Sequence, residues 1–372
     1  MEEYLDILRT RRTGNILAIA IILAFGVLSL VRLYPFENSL KDILISKDDW
    51  GNYARFALDI KHNGILIPSL HENYFAPAGF LYNYFIALCF FIFGENTVPV
   101  FIIQNLLLGF SVALIYWGFC NKMKPLTGLA FLLTLFFFAL FDVSKHYSFR
   151  LLSENLAIFT ISIFFYCFIK GIEKNKLSLQ ISAAVFMGLS ILTRPNIFLF
   201  GIVLIVIVTF YFLKQKKAGM LNLILFVFFL ILITSFLAIR NHFVCGSWTF
   251  LPLKDFSFEE YFFKQHGFAL GHYIKKTLFC FGFLSPLEPG YQWHPHWTIM
   301  WIGYFIYLFF RVKEKRKYEI WEVTSHLFIL CYYFLLLLVD VNLGNYGYRF
   351  LIPATFIILP FSFIALDKLK NY

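Results

Sequence analysis

Charge is scarce in this chain of 372 residues: 15% are Asp, Glu, Lys or Arg, against 60% hydrophobic. A soluble domain of that size needs far more charge to cover its surface, so lipid is the expected solvent. Other absences narrow the function. There is no Gly-rich phosphate loop and no long hydrophilic stretch with room for a nucleotide-binding domain. No internal repeat or low-complexity linker divides the chain, and 1–372 reads as one domain. The six cysteines (Cys89, Cys120, Cys167, Cys245, Cys280, Cys331) lack C-x-x-C spacing. Four lie within apolar runs as small hydrophobes, which leaves Cys245 and Cys280 as the candidates for a disulfide.

What the chain does have is aromatic, apolar sequence, with 50 Phe and 21 Tyr. Runs of about 20 apolar residues, the length that spans hydrocarbon, recur from one end to the other. The expected fold class is all-α: a polytopic integral membrane helical bundle with spans near 15–33, 98–119, 126–141, 151–169, 177–192, 196–213, 219–239, 297–310, 321–339 and 350–366. The first run follows Arg9, Arg11 and Arg12 and has no small-residue cleavage site after it, so it reads as an uncleaved helix.

The segment 78–93 is apolar but short, and it sets the parity. If it does not cross, 18 basic and 8 acidic residues fall on the inner side and 14 of each sign on the outer. That asymmetry is what the positive-inside rule asks. The expectation is therefore about ten crossings with both termini cytoplasmic, and 78–93 a juxtamembrane or re-entrant helix at the outer leaflet. The basic residues form short runs between apolar segments, not a stripe with interleaved aromatics, so nucleic acid is not an expected partner. Membrane lipids are. The Phe-rich, Lys-leaning composition suits an AT-rich bacterial genome, and the expected location is the bacterial inner (plasma) membrane.

The outer loops hold the chemistry. The first, 34–77, carries Asp48 and Asp49 beside Trp50 and Tyr53, a pair of carboxylates that either caps a solvated helix or supplies a general base at the membrane surface. Glu154 opens a spanning helix, where facing lipid would be costly, so it either faces an outer cavity with Arg150 or substrate hydroxyls as partners or reaches headgroup water at the interface. Arg194, Arg240 and Arg349 each stand at an outer helix boundary, where a guanidinium fork either snorkels to headgroups or binds a phosphate. In the long loop 240–296, His294 and His296 flank Pro295 within an aromatic stretch that reads as an interfacial belt, and 261–283 sets lysines among aromatics suited to shaping an acceptor site. Gln104 and Asn105, inside the second span, read as bonds to a neighbouring helix.

Six phrases, in order, resemble the GT-C superfamily of membrane glycosyltransferases, nearest the branch of protein O-mannosyltransferases and aminoarabinose transferases. They are Asp49 with Tyr53, Ala57 and Gly64; Tyr74, Phe75, Ala76, Pro77, Ala78 and Gly79; Arg150 to Leu156 around Glu154; Gly188 to Asn196 around Arg194; Arg240 with Asn241; and Tyr348 to Pro353 around Arg349. The pattern departs from the family near Pro77, where paired prolines preceded by a charged residue are missing. The chain is also short for the family, without a sizeable outer C-terminal domain.

The resemblance implies a GT-C-like fold and transfer of a sugar from a polyprenyl-phosphate donor to an acceptor hydroxyl on a glycan, lipid or protein, with inversion, at the non-cytoplasmic face. Asp49 is then the expected base, with Asp48 and Glu154 beside it; Arg349, Arg194, Arg240 and Tyr348 hold the donor phosphate; Tyr53 and Tyr74 position substrate. No cofactor is expected, and the paired carboxylates lack the further ligands a divalent metal would need. A transporter or flippase, or a polymerase of lipid-linked glycans, is the competing reading; transporters gather polar groups near the midplane, whereas here they gather at one face.

Overall fold

A computed structural model describes residues 2–33, 40–45, 49–65, 79–145, 148–214, 216–246, 248, 295–338 and 351–369. Asp48, Tyr74, Tyr348, Arg349, His294 and Cys280 lie outside the described residues, as does the stretch 261–283. The described residues are helical almost throughout. In chain order the helices are α1 (Glu2–Leu33), α2 (Leu40–Ile45), α3 (Asp49–Asn63), α4 (Phe80–Phe93), α5 (Thr97–Phe119), α6 (Pro125–Phe138), α7 (Glu154–Glu173), α8 (Leu177–Thr193), α9 (Phe198–Leu213), α10 (Lys216–Cys245), α11 (Pro295–Glu314), α12 (Ile320–Leu338) and α13 (Ile352–Leu369). A π-helical turn, Ala139–Ser144, extends α6. Six of these helical segments are long and apolar enough to cross a bilayer, among them Thr10–Val31, Thr97–Lys122 and Gly219–Val244. All ten expected spans are present as helices, in an all-α membrane bundle.

Local chemistry sets the boundaries. Asn96, in extended conformation, caps α5 by accepting from the Val98 amide at 2.9 Å. Pro125 stands at the start of α6, where its missing N–H costs nothing. The free amides of that same terminus are met from elsewhere: Asp367 of α13 accepts from the Lys124 amide at 2.6 Å and from the Thr127 hydroxyl. An anion at a helix N-terminus complements the helix dipole.

Ion pairs at one end of the bundle give the direction of the helices. Lys122, after α5, bonds Glu173 at the end of α7 at 2.8 Å; Lys368, in the last turn of α13, bonds Glu314 at the end of α11 at 2.8 Å. Arg311 of α11 bonds Glu322, near the start of α12, at 2.6 Å. α1 runs against α5, since Asn15 bonds Trp117 at 3.2 Å while Gly109 lets the backbone of Ile22 approach closely. Among the described residues the ends of α5, α7, α11 and α13 and the start of α12 therefore lie together, with Lys122, Glu173, Arg311, Glu314, Glu322 and Lys368 at that end of the bundle.

The opposite end carries a layer of short helices. Ala54, Ala57 and Ile60 of α3 pack on Tyr82, Ile86 and Phe90 of α4, and two alanines at this spacing let the helices lie close. α3 and α4 run parallel: Tyr53 meets Tyr82 at one end (ring centroids 5.0 Å apart), and Lys61 and His62 meet Glu95 at the other, both at 2.8 Å. Because α5 and α7 are parallel and both begin at this end, both ends of α4 lie here. It lies within this layer and does not run the length of the bundle, its 14 residues reaching only about 21 Å.

Candidate active site

Three segments distant in sequence converge beneath this layer. Asp49 is the first residue of α3, and Tyr53 is one turn further on, turned toward the bundle. Glu154 is the first residue of α7, where its charge suits the helix dipole. Arg194 ends α8, the chain leaving the helix there because Pro195 disfavours helical backbone in the residue before it. The Arg194 guanidinium bonds the Glu154 carboxylate at 2.5 Å, the two side chains being 8% and 1% exposed.

Tyr53 joins these groups. Its hydroxyl lies within hydrogen-bonding reach of the Ser153 side chain and in the fields of Glu154, Arg194 and Asp49. Burial pushes the phenol up to about 12, the Glu154 charge adding to the effect while Ser153 and Arg194 oppose it. It is therefore protonated at any working pH, a neutral hydroxyl that can donate or accept. Gly79, with φ of +71°, begins α4 directly over this ring, and a Cβ there would stand 2.9 Å from the Tyr53 hydroxyl oxygen. Glycine both permits the left-handed turn and leaves room for the tyrosine.

The partner of Glu154 is thus Arg194, not Arg150. Arg150 is exposed on the turn before α7, whereas Arg194 reaches in from α8. Tyr332 of α12 lies beside Arg194 and Asn196, closing the far wall. Arg240, 4% exposed, stands on the other flank and bonds Asn241 at 3.1 Å. It shares its surroundings with Arg194, because Leu192 and Leu237 both pack on Phe80. Asp49, Tyr53, Glu154 and Arg194 are therefore brought together, with Arg240 nearby.

Sequence reading missed Tyr82, Ser153, Asn196 and Tyr332. Ser153 and Asn196 sit inside phrases already singled out, next to Glu154 and Arg194; nothing in the local sequence distinguishes Tyr332 from other aromatics of α12. His296 bonds Asp142 at 3.4 Å, a contact between α11 and the turn after α6. Gln104 and Asn105 do bond neighbouring segments, Gln104 to Tyr82 and Asn105 to Ser144 at 2.8 Å. Among the described residues no three His, Cys, Asp or Glu side chains gather as metal ligands.

The model of the family of dolichyl-phosphate-mannose-protein mannosyltransferases matches residues 77–239. That span runs from the start of α4 into α10, and holds Glu154 and Arg194 but not Asp49 or Arg349. An oligosaccharyltransferase of Archaeoglobus fulgidus, solved in the apo form, is similar in structure with a TM-score of 0.52 over 95% of this chain, at 11% sequence identity. The chain spans about half the length of that protein, 50% of which is covered. No curated protein sequence matches the chain significantly.

Proposed function

We propose, starting from the premise that the chain is a membrane glycosyltransferase of the GT-C type, that it moves a sugar from a polyprenyl-phosphate donor to an acceptor hydroxyl on the non-cytoplasmic face. The observation that carries this reading is the convergence of Asp49 and Tyr53 on the buried Glu154–Arg194 pair at one end of the bundle. The connections at the opposite end, 120–124, 174–176, 214–215 and 315–319, are too short for a nucleotide-sugar domain, which favours a donor embedded in lipid.

The chemistry asks for two things. Asp49 takes the proton of the acceptor hydroxyl as its oxygen attacks the anomeric carbon from the side opposite the phosphate. The bond from that carbon to the phosphate oxygen breaks, its electron pair leaves on polyprenyl phosphate, and the configuration inverts. A phosphate departs readily, so charge stabilisation matters more than protonation. Arg349, Tyr348 and Arg240 are the proposed phosphate ligands. Arg194, its charge matched by Glu154, contributes to the same region mainly by fixing that carboxylate, which with Asp48, Tyr53 and Tyr74 orients sugar and acceptor.

The test is direct. The purified full chain, reconstituted in lipid, is incubated with a panel of polyprenyl-phosphate sugars and release of polyprenyl phosphate is followed. Release with one donor, dependent on an acceptor, is expected. Turnover of nucleotide sugars instead, or of no donor in the panel, would overturn the reading.

A further inference from the structure

We propose that Gln104 is a positioning residue for the candidate site, joining the α3–α4 layer to the turn that carries Ser153 and Glu154; this rests on the functional reading of that site. Gln104 lies within α5 and is fully buried. Its side-chain oxygen accepts from the Tyr82 hydroxyl of α4. Its amide nitrogen donates to the carbonyls of Ser148 and Arg150, both at 3.2 Å. Its backbone carbonyl accepts from the Asn155 amide of α7 at 3.2 Å, and Asn155 also donates to the Ser148 hydroxyl at 2.6 Å.

Two donors and an acceptor of one amide are thus used on two different segments, and the backbone of the same residue holds a third. Only one orientation of the amide works, because the reverse would set its oxygen against two carbonyls. A buried network of this kind is costly to break in part and specifies one arrangement when complete. What it specifies is the approach of two surfaces. Tyr82 meets Tyr53, one turn from Asp49, and 148–150 leads into Ser153 and Glu154. Gln104 touches none of the proposed reacting groups, yet it lies between the segment with the proposed base and the segment with the ion pair.

Asn105 provides the control. It is adjacent, buried at 1%, and hydrogen-bonded to Phe101 of its own helix and to Ser144 of the turn after α6, so these two bonds join neither α4 nor the 148–153 turn. Gln104→Leu and Asn105→Leu are compared in the full chain in lipid nanodiscs, by steady-state sugar transfer and by amide hydrogen exchange. Gln104→Leu is expected to lower kcat on the order of tenfold to a hundredfold, the cost of misplacing groups by about 1 Å. The KM for donor should stay within about twofold. Amides of 148–153 and of the start of α4 should exchange faster in that variant alone. Equal losses of turnover in the two variants, or unchanged exchange at 148–153 in Gln104→Leu, would overturn the proposal. If the wild-type chain transfers no sugar from any donor, the functional reading fails by itself, and the exchange measurement still decides whether Gln104 joins the two segments.

Discussion

Arg194 and Glu154, forty residues apart in sequence, meet at 2.5 Å with almost no exposure to solvent. Each charge has been taken out of water, and each is tolerable because the other is there. Removing either one leaves an uncompensated buried charge, at a cost of about 3–5 kcal/mol. Arg194→Ala and Glu154→Ala should each lower the thermal unfolding midpoint in detergent, and the double variant should lose clearly less than the two single losses combined. Strict additivity would mean that the pair contributes nothing as a pair.

Asp49→Asn keeps the size and hydrogen-bonding shape of the side chain but removes the basic oxygen. Sugar transfer should fall by at least about a hundredfold while donor binding and the unfolding midpoint stay near wild type. Full activity in this variant would remove Asp49 from the role of base.

The proposed phosphate ligands should act on the donor alone. Arg349→Ala and Arg240→Ala are expected to raise the donor concentration needed for half-maximal rate by about tenfold or more, since hydrogen bonds to a charged group are worth about 1.5–3 kcal/mol each. An unchanged donor dependence with an altered acceptor dependence would place the arginine elsewhere in the reaction.

Tyr53 gives the site an alkaline signature. Its phenol is raised to about 12 in the folded chain against an ordinary value of 10, so the folded state keeps a proton that the unfolded chain loses. The associated stability is complete below pH 10 and is lost as pH rises toward 12. The unfolding midpoint of the wild type should therefore drop more steeply between pH 10 and 12 than that of Tyr53→Phe, and parallel curves would contradict a raised phenol.

The spans were legible because lipid imposes one requirement on every stretch of chain inside it: about 20 apolar residues with the backbone bonded internally. Charge added the parity. The clusters around Lys122, Glu173, Arg311, Glu314 and Lys368, read as one side from sequence, do meet at one end as ion pairs. For the short segment at 78–93 the balance of basic residues favoured a place at the outer leaflet, and in the fold both ends of α4 lie in the same layer.

Pairing was not legible. Glu154 announced by its position that it needs a partner, and Arg150 was the nearer cation along the chain, but the partner came from α8. Composition and spacing determined that this is a many-helix membrane chain with many of its polar groups at or near the ends of its helices. Which of those groups touch was decided only when α3, α7, α8 and α12 packed together, since a helix fixes the direction of its side chains and tertiary contact alone brings two helix ends within hydrogen-bonding distance. Gln104 shows the same division: an amide in an apolar helix signals a bond to something, and the fold makes that something Tyr82 and the turn before α7.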